Sequence, residues 1–150
     1  MASNPDAELL RALMSGALAA PATVTSNRLA AALGTRLLAA DAAARSVRLS
    51  FVPGEEFLQG AGVVQGGAVS AMLDFAMAWA CFTVLPDSQT VTTTSMTANF
   101  MGAAAGGMQV EATGRIDKPG RRVMFASAEL HAGGKLIANA TSSLLVLDLR

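Results

Sequence analysis

The chain predicts an α+β fold in which a curled antiparallel sheet packs around one long helix. Two patterns carry this. Residues 68–85 read AVSAMLDFAMAWACFTVL, a run rich in helix-favouring alanine, methionine and leucine, free of glycine and proline, and apolar on every side. Four segments of alternating polarity follow, separated by turn signals, and consecutive strands joined by short turns pair antiparallel. A helix apolar all round has to be buried, and a sheet with one apolar face has to be covered. The economical solution is to lay one on the other.

Taken in order, Asn4-Pro5-Asp6 has the form of a helix start, with Asn4 as cap and Pro5 in the first turn, and a short helix is predicted from there to Gly16. Residues 17–27 carry no periodicity and are expected to be irregular. A first strand is predicted near 33–40. Residues 45–52 alternate cleanly, with Val47, Leu49 and Phe51 against Arg45, Arg48 and Ser50, the pattern of a half-buried strand. Pro53-Gly54 ends it. The loop EEFLQGAGVVQGG then leads into the long helix, which Pro86-Asp87 should close. In 91–100, Thr94, Met96, Ala98 and Phe100 are expected on one face and Thr93, Ser95, Thr97 and Asn99 on the other. In 108–116, Met108, Val110, Ala112 and Ile116 oppose Gln109, Glu111, Thr113 and Arg115. Asp117-Lys118-Pro119-Gly120 turns the chain into a strand at 122–131, and Gly133-Gly134 turns it into the last, at 135–147. The stretch 101–107 is a loop of small residues. A sheet of this kind leaves edges and an apolar face, so a second copy is expected to cover them.

Composition excludes several function classes. Formal net charge is zero and only 15% of residues are charged, so no global field draws the chain to nucleic acid or an anionic membrane. One cysteine, Cys81, and one histidine, His131, cannot build a zinc or iron–sulfur site, and no metal is expected. A single thiol makes no intramolecular disulfide, which fits a reducing, cytoplasmic setting. MASNPDAELL lacks the basic stretch of a signal peptide. The run 68–85 approaches the length of a membrane span. However, Asp74 in its first half would cost about 3 kcal/mol on insertion, and the flanks are not basic.

Asp74 is also where chemistry is expected. A carboxylate set in an apolar helix is costly unless something answers its charge, and such acids cluster at active sites. The helix opens with Gln65-Gly66-Gly67. Free N–H groups and the positive dipole end there can hold a developing negative charge. An acid and an anion hole on one element point to attack on a carbonyl.

The stretch 59–74, QGAGVVQGGAVSAMLD, and the order of elements over about residues 30–147 resemble the hotdog-fold acyl-CoA thioesterases, particularly the phenylacetyl-CoA (PaaI-like) type. That family usually shows Asn or Gln, then Gly, then His-Gly-Gly, then an acid in the helix. Here the positions hold Gln59, Gly62, Gln65-Gly66-Gly67 and Asp74. The resemblance implies a hotdog domain over 30–150 preceded by an N-terminal helix and irregular segment over 1–29. It also implies a homo-oligomer, dimeric or tetrameric, with sites at a two-fold interface, and coenzyme A as part of the substrate with no further cofactor. The strand TTTSMTANF is similar to the family strand whose Ser or Thr supports the site, which points to Thr93. GRRV at 120–123 resembles the strand start after the preceding turn. The chain departs from the pattern at Gln65, where histidine is usual, at Ser95, where an acid is common, and at Ala103, where proline is common. Glutamine donates and accepts hydrogen bonds but takes no proton at neutral pH, which leaves Asp74 as the base.

On that resemblance the expected activity is hydrolysis of acyl-CoA thioesters. Asp74 attacks the carbonyl or activates a water, two routes the sequence leaves open, and the Gly66 amide stabilises the oxyanion. Gln59 and Gln65 could orient the carbonyl or the water, and Thr93 could hold the water. Gly67 would line the substrate site. Arg121 and Arg122 could meet the phosphates of coenzyme A. Against these stand plainer readings: loop hydrogen bonds for the glutamines, cross-strand pairing for Thr93, and a solvated hairpin for the arginines. A binding protein of the same fold, holding acyl-CoA or another apolar ligand without turnover, is the alternative. Gly67 and Asp74 lie two helical turns apart, roughly 10 Å, so one carbonyl can hardly touch both ends in one chain. A site using both is easier to build from two.

Overall fold

Asn4 caps the first helix as expected. In the computed structural model, which describes residues 2–150, its side-chain oxygen accepts from the Asp6 amide at 3.0 Å, and α1 runs Pro5–Met14. α1 buries Ala7 and Leu10. Arg11 pairs with Asp87 at 2.8 Å and reaches the Leu85 carbonyl at 3.5 Å, tying α1 to the segment that follows the central helix.

The segment read as irregular contains more order than its sequence shows. Ala22–Thr23 form β1, and Asn27 caps a one-turn helix, α2, over Arg28–Ala32, its side-chain oxygen accepting from the Leu29 and Ala30 amides at 3.0 and 3.2 Å. The first long strand, β2, therefore starts later than expected and spans Arg36–Asp41. β3 is Ser46–Phe51, with Val47, Leu49 and Phe51 buried as the alternation predicts and Ser50 buried beside them.

The central helix α3 spans Gly66–Phe82, starting two residues before the expected Ala68 and ending three before Leu85. Gln65 is its N-cap residue, and its carbonyl takes the Ala68 and Val69 amides at 2.9 and 3.1 Å, so the first turn winds through both glycines. At the other end Thr83 donates its hydroxyl to the Ala80 carbonyl at 2.7 Å, and Pro86 disfavours helical geometry at Leu85. α3 is not buried all round. Met72, Leu73, Ala76, Met77, Trp79 and Ala80 are covered, but a stripe of Gly67, Ala71, Asp74, Phe75 and Ala78 remains partly open. Among the described residues no helix is long and apolar enough to cross a membrane.

The remaining strands are β4 (Gln89–Phe100), β5 (Val110–Lys118), β6 (Val123–Ala132) and β7 (Lys135–Asp148). All seven form one antiparallel sheet in the order β1-β2-β3-β5-β6-β7-β4. The tight turns expected at Pro119-Gly120 and Gly133-Gly134 join β5–β6–β7; both of the latter glycines have positive φ, 56° and 75°. β4 departs from the expected four-strand meander. It pairs with β7 rather than β5, and the loop 101–109 carries the chain across the sheet. That leaves the twelve-residue β4 as an edge. α3 packs on β3 through β7.

The helix sits close because the sheet presents only small residues there. Gly114, Ala128, Ala140 and Ala98 lie opposite one another on β5, β6, β7 and β4, a row of small residues across four strands. A Cβ built at Gly114 would overlap the Ala76 carbonyl, so helix backbone meets sheet backbone there.

Two buried hydroxyls, Thr35 Oγ1 and Ser142 Oγ, find no protein partner among the described residues. A buried donor left unmatched costs about 1–3 kcal/mol. Thr35→Val, nearly the same shape, is expected to stabilise the fold by about 1 kcal/mol. Thermal denaturation checks this, and a fall in Tm would mean that the hydroxyl is satisfied in solution.

Candidate active site

Asp74 lies on the partly open stripe of α3, where β4 passes. The Thr93 hydroxyl donates to Asp74 Oδ1 at 2.6 Å, a short contact of the kind made to a charged acceptor. Oδ2 makes no hydrogen bond to any described protein group. The acid is thus oriented through one oxygen and free at the other.

Thr93 reaches Asp74 because β4 is irregular. The expectation put Thr93 on the face opposite Met96 and Ala98. Instead, Thr93 pairs with Leu144 and Ser95 with Ser143, so Thr94 is an extra residue in the ladder. Its hydroxyl lies 3.0 Å from the Ser143 carbonyl and 2.9 Å from the Ser143 hydroxyl. The bulge shifts the alternation by one, placing Thr93 on the same half-buried side as Met96 and Ala98 while Thr94 and Ser95 both face out. Thr93→Val removes the donor but keeps the shape. A hydrogen bond to a charged group is worth about 1.5–3 kcal/mol, so kcat is expected to fall roughly 10- to 100-fold. Thr93→Ser should recover most of it, and steady-state kinetics on the two variants checks both.

An open cleft of about 430 Å³ adjoins this pair. Phe75, Ala78 and Phe82 form its apolar wall. Asn4 and Asp6 from α1 and Asn27 at the cap of α2 contribute a polar one. The sequence marks Asn4 and Asp6 only as a helix start and gives none of the three a place at a site. Asn27 could have been found, since an Asn directly before Arg-Leu-Ala-Ala-Ala is a helix-start signal.

The other candidates gather at the start of α3. Gly66 and Gly67 are exposed in its first turn, where the helix offers their N–H groups no acceptor. The loop before them is pinned by backbone bonds from Val64 to Ala104 at 2.9 Å and from Gln65 to Phe57 at 2.8 Å. The Gln65 side chain makes no capping bond and lines a separate apolar pocket of about 270 Å³ with Gly67, Ala68, Ala71, Leu29 and Phe57. Phe100, at the end of β4, stands 3.7 Å from where a Gly66 Cβ would be and is 53% exposed. Gln59 lines neither pocket; its side chain accepts from the Ala61 amide at 3.2 Å within its own loop. Arg121 and Arg122 are exposed on the β5–β6 hairpin and also line neither. The structure therefore joins Asp74 with Thr93, and Gly66 with Gly67 and Gln65, as two separate clusters on one chain. Cys81 takes no part: it is buried, and burial pushes its thiol up to about 12.

Residues 61–138, just over half of the chain, match the Thioesterase superfamily. A Pseudomonas aeruginosa protein named "Putative esterase PA0474" is 35% identical over 80 residues, which are 53% of this chain and 60% of that protein's length. A crystal structure from Ralstonia eutropha, described as a "putative thioesterase, phenylacetic acid degradation-related protein", superposes with a TM-score of 0.78 at 29% identity, over 91% of this chain and 98% of its own. The PaaI protein of the E. coli phenylacetic acid degradation operon superposes with a TM-score of 0.76 over 99% of this chain and 100% of its own, at 16% identity, a likeness of fold.

Proposed function

The chain belongs to the thioesterase superfamily, with the hotdog arrangement of a long helix on an antiparallel sheet, and from that premise we propose that it hydrolyses acyl-CoA thioesters to the free acid and coenzyme A. The observation that carries this is the Thr93–Asp74 contact at 2.6 Å beside an open cleft. It presents a fixed carboxylate with one oxygen free to act. On one route Asp74 takes a proton from water as the water oxygen bonds to the thioester carbon. The tetrahedral intermediate then collapses, the C–S bond breaks and the thiolate leaves. On the other, Oδ2 itself bonds to the carbon and expels the thiolate, and water cleaves the resulting anhydride. Both need a donor for the carbonyl oxygen as it gains charge, the role we give to the Gly66 amide, with Gln65 and Gly67 beside it. The bulk of coenzyme A stays outside, and we assign its phosphates to Arg121 and Arg122.

Within one chain the two half-sites are roughly 10 Å apart along α3. The open stripe of the helix and the unpaired edge of β4 are the surfaces on which a second copy would join them. The functional unit in this reading is a homodimer, with Asp74 and Thr93 from one protomer facing Gly66 and Gln65 of the other.

Thiol release from a panel of neutral acyl-CoAs tests the activity: many turnovers per protein are expected, and none with any member would overturn it. Mixing tests the shared site. Asp74→Asn homodimers should be inactive and Gln65→Ala homodimers impaired. In a mixed dimer one interface carries both lesions and its twin neither, so activity should return to about half of wild type per mixed dimer. Verified mixed dimers with no gain over the parents would mean that each chain builds its own site.

A further inference from the structure

The wall that α1 and the α2 cap raise beside Asp74 is built as a unit. Asn4 donates to the Thr90 hydroxyl at 3.0 Å, fastening α1 to β4. The Asp6 carboxylate is held on both oxygens: Ser26 donates its hydroxyl to Oδ1, and the Asn27 amide lies 3.5 Å from Oδ2. Asp6 therefore sits half-buried and oriented, on the same cleft as Asp74. No Lys, Arg or His is among the described residues lining that cleft. The nearby cation on α1, Arg11, is committed to Asp87 and the Leu85 carbonyl instead. These residues also lie outside 61–138, the stretch matched by the superfamily, so the wall belongs to this chain's own N-terminal segment.

Two carboxylates on one cleft, with no cation lining it from the same chain, disfavour an anion there. The phosphates of coenzyme A are therefore turned away from it, and the end of the substrate that enters is the acyl group. From Asp74 past Phe75 to Ala78 the helix wall runs about 6 Å, the reach of a glutaryl or adipyl chain. A terminal carboxylate on such a chain would share the cleft with Asp6.

We propose that Asp6 is a specificity-determining residue that excludes acyl groups ending in a carboxylate and confines the cleft to uncharged ones. This rests on the reading of the protein as an acyl-CoA hydrolase. Like charges that share a cleft with few screening ions between them repel strongly enough to cost roughly tenfold in selectivity, and salt should weaken the effect.

The experiment compares hexanoyl-CoA with adipyl-CoA in wild type, Asp6→Asn and Asp6→Ser, reading the ratio of kcat/KM at low and high ionic strength. The same ratio is read in Kd with the non-hydrolysable thioether analogues of both. Wild type should favour the neutral acyl group by tenfold or more at low salt, and less at high salt. Both variants should shrink that ratio about tenfold and weaken its salt dependence, with Asp74 still lining the cleft. A wild type without the preference, or folded variants that keep it, would overturn the proposal. Thioether binding that shows the Asp6-dependent ratio without any thiol release would uphold Asp6 and overturn the hydrolase reading instead.

Discussion

Asp74→Asn is expected to lower kcat by about 10²–10⁴-fold, the usual cost of losing a general base, while leaving Tm within a few degrees of wild type. The amide is nearly isosteric and can still accept from the Thr93 hydroxyl, which now donates to Asp74 Oδ1 at 2.6 Å. What it lacks is a second oxygen able to take a proton or bond to carbon. The position is half-buried on an open stripe rather than sealed in the core, so the substitution removes a charge from the cleft without leaving a cavity. The variant should bind substrate about as well, so the loss should fall on kcat rather than KM. Turnover near wild type by the purified, folded protein would remove Asp74 from the mechanism, and with it the carboxylate on which both routes depend.

Gly114→Ala is expected to be the most damaging conservative change to the fold. Its new methyl would occupy the space of the Ala76 carbonyl, and backbone cannot rotate aside as a side chain can. Overpacking of this kind costs about 3 kcal/mol, which for a chain of this length lowers Tm by roughly 6–12 °C. It should also reduce activity in whatever protein remains folded, since Ala76 is two residues from Asp74 and lifting α3 lengthens the Thr93 contact. Calorimetry and kcat on the same preparation check both. A variant with wild-type Tm would mean that helix and sheet are not in backbone contact at Gly114.

The parts of this structure that were legible in the sequence are those set by local alternation and local capping. The inward Val47, Leu49 and Phe51 and the Asn4 cap depend only on neighbours within a turn or a strand. The Gly133-Gly134 turn needs only two residues able to take positive φ. Other features depended on distant partners. β4 resembles the first strand of a meander, yet it pairs with β7 at the far end of the chain, and nothing between residues 89 and 100 encodes that choice. The bulge at Thr94 is set by register with Ser143, so strict alternation put Thr93 on the wrong face. α2 is a single turn held by the Asn27 side chain and is too short to show a period. The candidate site divides in the same way. Asp74 stood out as a lone charge in an apolar run, and the paired glycines before it marked the helix start. Asn4, Asp6 and Asn27 are polar residues of the kind found at any helix start, and only the fold brings them to the cleft.

The row of Gly114, Ala128, Ala140 and Ala98 under α3 has a consequence for how this protein can change over time. A helix seated on large side chains shifts whenever one of them is exchanged for another of different volume. Here the seat is largely backbone and methyl groups, so its height is fixed by chain geometry. Exchanges elsewhere in the core, among residues such as Leu49, Leu130 and Leu144, then alter stability more than the height at which Asp74 is held. The interior can drift in sequence while the acid keeps its place, and the cleft wall on α1, fastened to β4 only at its rim, can diversify separately from the chemistry.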